Sequence, residues 1–307
     1  MTTNTTTRLE VTPGAGVDAL PFWKMHGTGN DFVLAESDRP DADWSALARQ
    51  VCDRHFGIGA DGLILVLPSE VADFRMRIIN PDGSEAEMCG NGVRCFVKYC
   101  FDRGLIDRAD GTMTVETIPG VLDAETTRDE DGNVRRVRVS MGAPALRPAD
   151  LGARVDREAP VLDLPLEAAG EALSLTLVSM GNPHAVAFLQ EAPAEYDLHR
   201  IGPRVEHHEV FANRTNFEVV RVRDRSHIEM RVWERGVGET LACGSGACAA
   251  VVASRLHGQV DDDVEVAVPG GTLRIEWDGE GPVHLSGPAT RVFEGEWRAS
   301  SWEGPAI

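Results

Sequence analysis

Alternating apolar and polar residues mark five segments of the chain as strands: Phe74-Arg-Met-Arg-Ile-Ile79, Val134 to Ser140, Asn216 to Val222, Ile228 to Val232 and Thr272 to Trp277. Period-two patterning places one face against a core and leaves the other wet. Two further segments are helical and apolar on nearly every side. Val93, Cys95, Phe96, Val97, Tyr99 and Cys100 leave little polar face, and Ala247 to Ala253 has none. A helix without a polar face is buried all round. The economical arrangement is a curved mixed β-sheet or barrel wrapped around one central apolar helix, made twice. The strands are not separated by regular helices, so the pattern predicts an α+β fold rather than a doubly wound parallel sheet.

Internal self-similarity supports the doubling. Gly29-Asn30 matches Gly181-Asn182, and Met76-Arg77-Ile78 matches Met230-Arg231-Val232. Cys89-Gly90-Asn91-Gly92 matches Cys243-Gly244-Ser245-Gly246, and Pro119-Gly120 matches Pro269-Gly270. The offsets are 152, 154, 154 and 150 residues, in one order. Two pseudo-symmetric repeats are therefore expected. Residues 1–19, Thr-rich, read as a flexible tail. Residues 20–141 form an N-terminal repeat domain carrying Cys89, and residues 142–287 a C-terminal one carrying Cys243. The boundary is expected between Met141 and Ala172, where Pro, Ala and acidic residues accumulate and regular patterns are few.

Each Cys-Gly-x-Gly opens a buried helix. Unpaired N–H groups at a helix start carry partial positive charge, which lowers a thiol's pKa and attracts a carboxylate. The glycines let the backbone approach a ligand closely. A lone motif of this kind reads as a structural helix start. Two in repeated halves point to two thiols set across one bound molecule. Such a pair suits inversion at an α-carbon, in which a thiolate removes a proton from one face and a thiol delivers one to the other. The remaining cysteines lack this setting, and Cys95, Cys100 and Cys248 read as packing residues within the helices.

Composition narrows the field. The chain has 307 residues, is 42% hydrophobic and carries a formal net charge of −19. Strong acidity disfavours nucleic acid and anionic membrane as partners. No run approaches the length of a membrane span, and the first nineteen residues lack a signal-peptide core, so a cytoplasmic location is expected. The acidity is read either as that of an ordinary cytosolic enzyme or, the favoured reading, as adaptation to high intracellular salt. The six cysteines include no C-x-x-C pair, so no metal site is expected. Only Lys24 and Lys98 are lysines, and neither adjoins a phosphate-binding glycine loop. A pyridoxal phosphate Schiff base is thereby disfavoured, and no cofactor is expected.

At this point the motifs resemble those of the diaminopimelate epimerase family. The matching segments are Lys24-Met-His-Gly-Thr-Gly-Asn-Asp-Phe32, Asn80-Pro-Asp-Gly-Ser-Glu85, Met88-Cys-Gly-Asn-Gly-Val-Arg-Cys95, Ser179-Met-Gly-Asn-Pro-His184, Asn213-Arg-Thr-Asn216 and Glu234-Arg235 followed by Ala242-Cys-Gly-Ser-Gly-Ala247. The resemblance runs from about Phe22 to Gly287 and implies interconversion of LL- and meso-diaminopimelate, a late step toward lysine. It implies that Cys89 and Cys243 are the acid and base, supported by His184 and Glu234. Gly90-Asn91 and Gly244-Ser245 would hold the reacting carboxylate, and Asn30 the reacting end. Asn80, Asn182, Asn216 and Arg235 would bind the distal amino-acid group, with Glu234 on an ammonium. It also implies that a last strand, about residues 288–307, returns to the first domain. One departure is Gly62, where some relatives carry glutamine. A homodimer is one assembly the reading admits. Two other functions remain open: a proline-type racemase of the same fold, against which Arg235 and the asparagines speak, and a thiol redox protein using both cysteines.

Overall fold

The computed structural model describes residues 19–298. The tail expected over residues 1–19 thus lies, but for its last residue, outside the described residues, as do residues 299–307 of the expected returning strand. The chain forms two compact units. One holds residues 19–27, Asp31–Val134 and 289–298; the other holds Thr28–Asn30 and Arg135–Pro288.

The first unit contains β1 (Leu20–Gly27), β2 (Asn30–Glu36), α1 (Ser45–Cys52), β3 (Gly62–Leu67), β4 (Phe74–Ile79), β5 (Glu85–Ala86), α2 (Gly90–Asp102), β6 (Thr112–Thr117) and β7 (Gly120–Arg128). The second contains β8 (Val134–Ser140), β9 (Leu164–Ala168), β10 (Glu171–Ser179), β11 (Pro183–Phe188), α3 (Leu198–Glu206), β12 (Asn216–Asp224), β13 (His227–Glu234), β14 (Gly238–Thr240), α4 (Gly244–Leu256), β15 (Asp263–Val268), β16 (Gly271–Glu276) and β17 (His284–Gly287). The last strand, β18 (Thr290–Trp297), pairs antiparallel with β1.

The strand pairings repeat step for step. β2 runs parallel to β3, β3 antiparallel to β4, β4 antiparallel to β5, and β4 then parallel to β6. In the second unit β11 runs parallel to β12, β12 antiparallel to β13, β13 antiparallel to β14, and β13 then parallel to β15. Between the short strand and the next long one each unit inserts its buried helix, α2 or α4. Twelve consecutive residues of α2, Gly90 to Phe101, are buried, and so are Gly246 to Ser254 of α4. Burying apolar side chains on all sides of one helix is what closes each sheet around it. This is the α+β double repeat that the patterning predicts.

Structure also appears where the sequence pattern was faint. β9 lies inside the stretch expected to be irregular, with Leu164, Leu166 and Ala168 buried and the residues between them exposed. It is a five-residue strand interrupted by Pro165, too short for its alternation to stand out.

Candidate active site

In the first unit Cys89 caps α2 from an extended backbone (φ −143°, ψ 115°), and its carbonyl accepts the Val93 N–H at 2.9 Å. The N–H groups of Gly90, Asn91 and Gly92 lie ahead of the helical hydrogen-bond ladder, where they can face an anion. Asn91 is buried, and Arg94 is fully buried beneath it. The guanidinium folds back onto the start of the helix, donating to the Gly90 carbonyl at 3.2 Å and Asn91 Oδ1 at 2.9 Å. Asn80 begins a tight turn in which its Nδ2 donates to Ser84 Oγ at 2.9 Å. Gly62 stands where a Cβ would lie 3.2 Å from the Ile79 carbonyl and 3.4 Å from the Phe32 ring. A side chain there would need the Ile79 carbonyl to give by a few tenths of an ångström.

The second unit repeats the arrangement with different neighbours. Cys243 caps α4 from φ −117°, ψ 117°, and its carbonyl accepts the Ala247 N–H at 2.9 Å. Its sulfur lies 3.5 Å from Ser245 Oγ. His184 on β11 and Glu218 on β12 are both fully buried, with His184 Nδ1 2.7 Å from Glu218 Oε1. The other ring nitrogen, Nε2, sits 3.0 Å from Asn182 Oδ1. Asn216 is committed to the backbone: its Nδ2 donates to the Pro183 carbonyl at 2.8 Å, and its Oδ1 accepts the Arg235 N–H at 2.9 Å. The Arg235 side chain is exposed and touches the Asn213 carbonyl at 3.3 Å. Glu234 accepts the Thr240 hydroxyl. Buried Glu206 fixes the following turn by accepting the Gly236 N–H at 2.9 Å and Trp233 Nε1 at 2.8 Å. Thr28–Asn30 belong to this unit by their contacts, since a Cβ on Gly270 would fall 1.9 Å from the Thr28 carbonyl.

Asn30, Asn182, His184, Asn216, Glu234, Arg235, Cys243, Gly244 and Ser245 thus belong to the second unit, and Asn80, Cys89, Gly90 and Asn91 to the first. One expectation is corrected. The helix start was expected to lower the thiol pKa, but that of Cys243 is raised well above its ordinary value. Burial is the largest cause, and the carboxylates of Glu234 and Glu218 add to it; the Ser245 hydroxyl and the Gly246 N–H oppose them and lose. Cys243 is therefore a thiol in this state. Burial also pushes Cys52 and Cys95 up to about 12 and raises Cys100, so these three are inert.

Sequence reasoning missed Glu218, Arg94 and Glu206. The signals for two of them were present. Glu218 is an acid inside the run Asn-Phe-Glu-Val-Val, and Arg94 is the odd charge at the start of an apolar helix. Glu206 carries no such mark, since its burial depends on a turn that arrives thirty residues later.

A family model described as "Diaminopimelate epimerase" matches residues 22–146 and 176–292. A diaminopimelate epimerase of Acetivibrio thermocellus is 48% identical over 279 residues, 90% of this chain and 98% of its own. One of Moorella thermoacetica is 50% identical over 281 residues, 91% and 99% of the two chains. Among solved structures, a PhzF-family phenazine biosynthesis protein of Bacillus anthracis aligns with a TM-score of 0.65 at 20% identity, covering 91% of this chain and 99% of its own. A probable proline racemase of Agrobacterium radiobacter K84 aligns with a TM-score of 0.66 at 16% identity, covering 92% and 94%. At those identities the two structures speak for the fold alone.

Proposed function

Because this chain belongs to the diaminopimelate epimerase family, we propose that it interconverts LL- and meso-2,6-diaminopimelate by a two-base exchange between Cys89 and Cys243. It is an isomerase of a kind that needs no cofactor. The observation that carries the two-thiol reading is that both cysteines cap the one buried helix of their repeat with the same extended backbone. A thiolate takes the α-proton, the C–H electron pair stays on the substrate as a carbanion, and the opposite thiol supplies a proton to the other face. The α-proton is weakly acidic, so the carbanion needs help. The N–H groups of Gly90-Asn91 and Gly244-Ser245 hold the reacting carboxylate, where negative charge grows.

The distal amino-acid head falls to Asn80, Asn182, Asn216 and Arg235, with Glu234 on an ammonium and Asn30 at the reacting end. Arg235 grips a carboxylate with a planar fork. Asn216 contributes by holding the Arg235 backbone, and Asn182 by its contact with His184. The product feeds lysine formation. The enzyme works in the cytoplasm, as a homodimer, and its acidity suits a salt-rich interior.

Proton NMR of the reduced protein with LL-diaminopimelate in heavy water is the test. Growth of the meso isomer, with deuterium at the inverted carbon, is the expected result. Folded protein with free thiols that exchanges nothing at any potassium chloride concentration would overturn the assignment.

A further inference from the structure

The two repeats can be compared position by position through their strand registers. In the first, Phe32 pairs with Gly62, and Ile64 follows two residues on; in the second, His184 pairs with Asn216, and Glu218 follows two residues on. The helix glycines confirm the equivalence. A Cβ on Gly92 would lie 3.1 Å from Ile64 Cδ1, and one on Gly246 would lie 2.8 Å from Glu218 Oε1. The fold is therefore satisfied by Phe32 and Ile64 at places where the second repeat buries an imidazole and a carboxyl. Glu218 is fully buried, and its Oε2 has no hydrogen-bond partner. Packing does not require an acid there, because isoleucine fills the same place in the other half. The position five residues after each cysteine differs as well: Arg94 in the first repeat, Cys248 in the second.

Resting on the epimerase reading above, we propose that Glu218 is a positioning residue that keeps Cys243 as the proton donor of the resting enzyme and leaves Cys89 as the base. The charged groups acting on Cys243 are Glu234 on β13 and Glu218 on β12, and His184 on β11 bonds Glu218. Its own helix offers the Ser245 hydroxyl, the Gly246 N–H and the buried Cys248. The buried residues of the other packed strands are not ionisable: Leu175, Thr176, Leu177, Val178 and Ser179 on β10, and Val264, Val266, Leu273, Ile275, Leu285 and Ser286 on β15 to β17. His257, at the far end of α4, bonds Thr176. Burial raises the Glu218 carboxyl and its contact with His184 opposes that; a thiolate at Cys243 would face both Glu234 and Glu218, so the state with its proton in place is favoured. The Arg94 guanidinium, laid over the first turn of α2, favours negative charge at the opposite thiol. In one turnover Cys89 gains the α-proton and Cys243 gives up its own. A proton then leaves Cys89 for water and another reaches Cys243, restoring the start.

The test is thiolate absorbance in the far ultraviolet, read without substrate. Wild-type protein is expected to show one thiolate at neutral pH, lost in Cys89→Ala and kept in Cys243→Ala. In the Cys89→Ala background, Cys243 is expected to titrate at high pH, and adding Glu218→Gln lowers that midpoint by about one pH unit or more. An unmoved midpoint in folded protein, or a neutral-pH thiolate that survives Cys89→Ala, overturns the proposal. Should Glu218→Gln not fold by circular dichroism, Glu218→Ile, which copies the first repeat, takes its place under the same criteria. None of these readings depends on turnover, so a failure to epimerise diaminopimelate would be seen separately.

Discussion

Cys89 and Cys243 share a backbone setting and differ in their electrostatic company. Replacing either with alanine is expected to lower kcat by at least about 10²- to 10⁴-fold, the usual worth of a general acid or base. The buried helix behind each remains, so circular dichroism should be unchanged; full activity in either variant would end the two-thiol mechanism. Arg235 is exposed and holds nothing essential to the fold. Arg235→Met should therefore leave stability alone and raise KM roughly 10- to 100-fold, the equivalent of ~1.5–3 kcal/mol for a charge-assisted hydrogen bond. Steady-state kinetics separates that from a fall in kcat. At this scale the thiols were legible because a repeated Cys-Gly-x-Gly is visible in the letters. The raised pKa of Cys243 was not, because it comes first from burial and then from Glu234 and Glu218, and all three arise only when β12 and β13 fold beside α4.

Helices and strands carry their own tests. In α3, a Cβ on Gly202 would lie 2.6 Å from Trp233 Cγ. Gly202→Ala should destabilise by about 1–3 kcal/mol through overpacking, seen as a lower urea midpoint at constant slope. β1, β2 and the loop after α1 are tied by Lys24, Asp31, Arg54 and Asp61, with Lys24 Nζ 2.5 Å from Asp31 and Arg54 2.7 Å from both carboxylates. Burial raises the Asp31 carboxyl, but hydrogen bonds from Arg54 and Lys24 outweigh it and hold its pKa at about 2. A carboxyl depressed from 3.8 contributes stability that is present above its unfolded pKa and lost as pH falls through its folded one. With solvent screening at the exposed Arg54 end, the shift is worth roughly 1 kcal/mol. Asp31→Asn should cost roughly that much at neutral pH, and the gap to wild type should narrow as pH drops from about 5 to about 2. Urea titrations across that range decide it. The long alternating strands could be read in advance: β4 and β8 have the bounds the pattern gives. α1 and α3 could not, being 8 and 9 residues long, with Gly202 and Pro203 inside the second.

The whole molecule carries a net charge of −19, because its 49 acidic residues outnumber its 30 lysines and arginines. Self-repulsion of this size is relieved by salt, since the Debye length falls from about 10 Å at ~0.1 M to about 3 Å at ~1 M. The melting temperature should therefore climb as potassium chloride is raised across that interval. A flat profile would place the protein among ordinary acidic enzymes.

β18 has a consequence for how the chain is made. β1 pairs with β2 along one edge, and among the described residues its other edge is covered by Thr290–Trp297. Between the last residue of β2 and the last of β18 a ribosome must add 261 residues, which at ~5–20 residues per second takes roughly 13–50 s. The second unit, encoded almost wholly within that interval, can complete its sheet first. Throughout, the first unit waits with an open strand edge, the kind of surface that pairs with another copy of itself. The newborn chain is thus most exposed to aggregation in the half that was synthesised earliest, and a chaperone's period of use is set by when the final strand emerges.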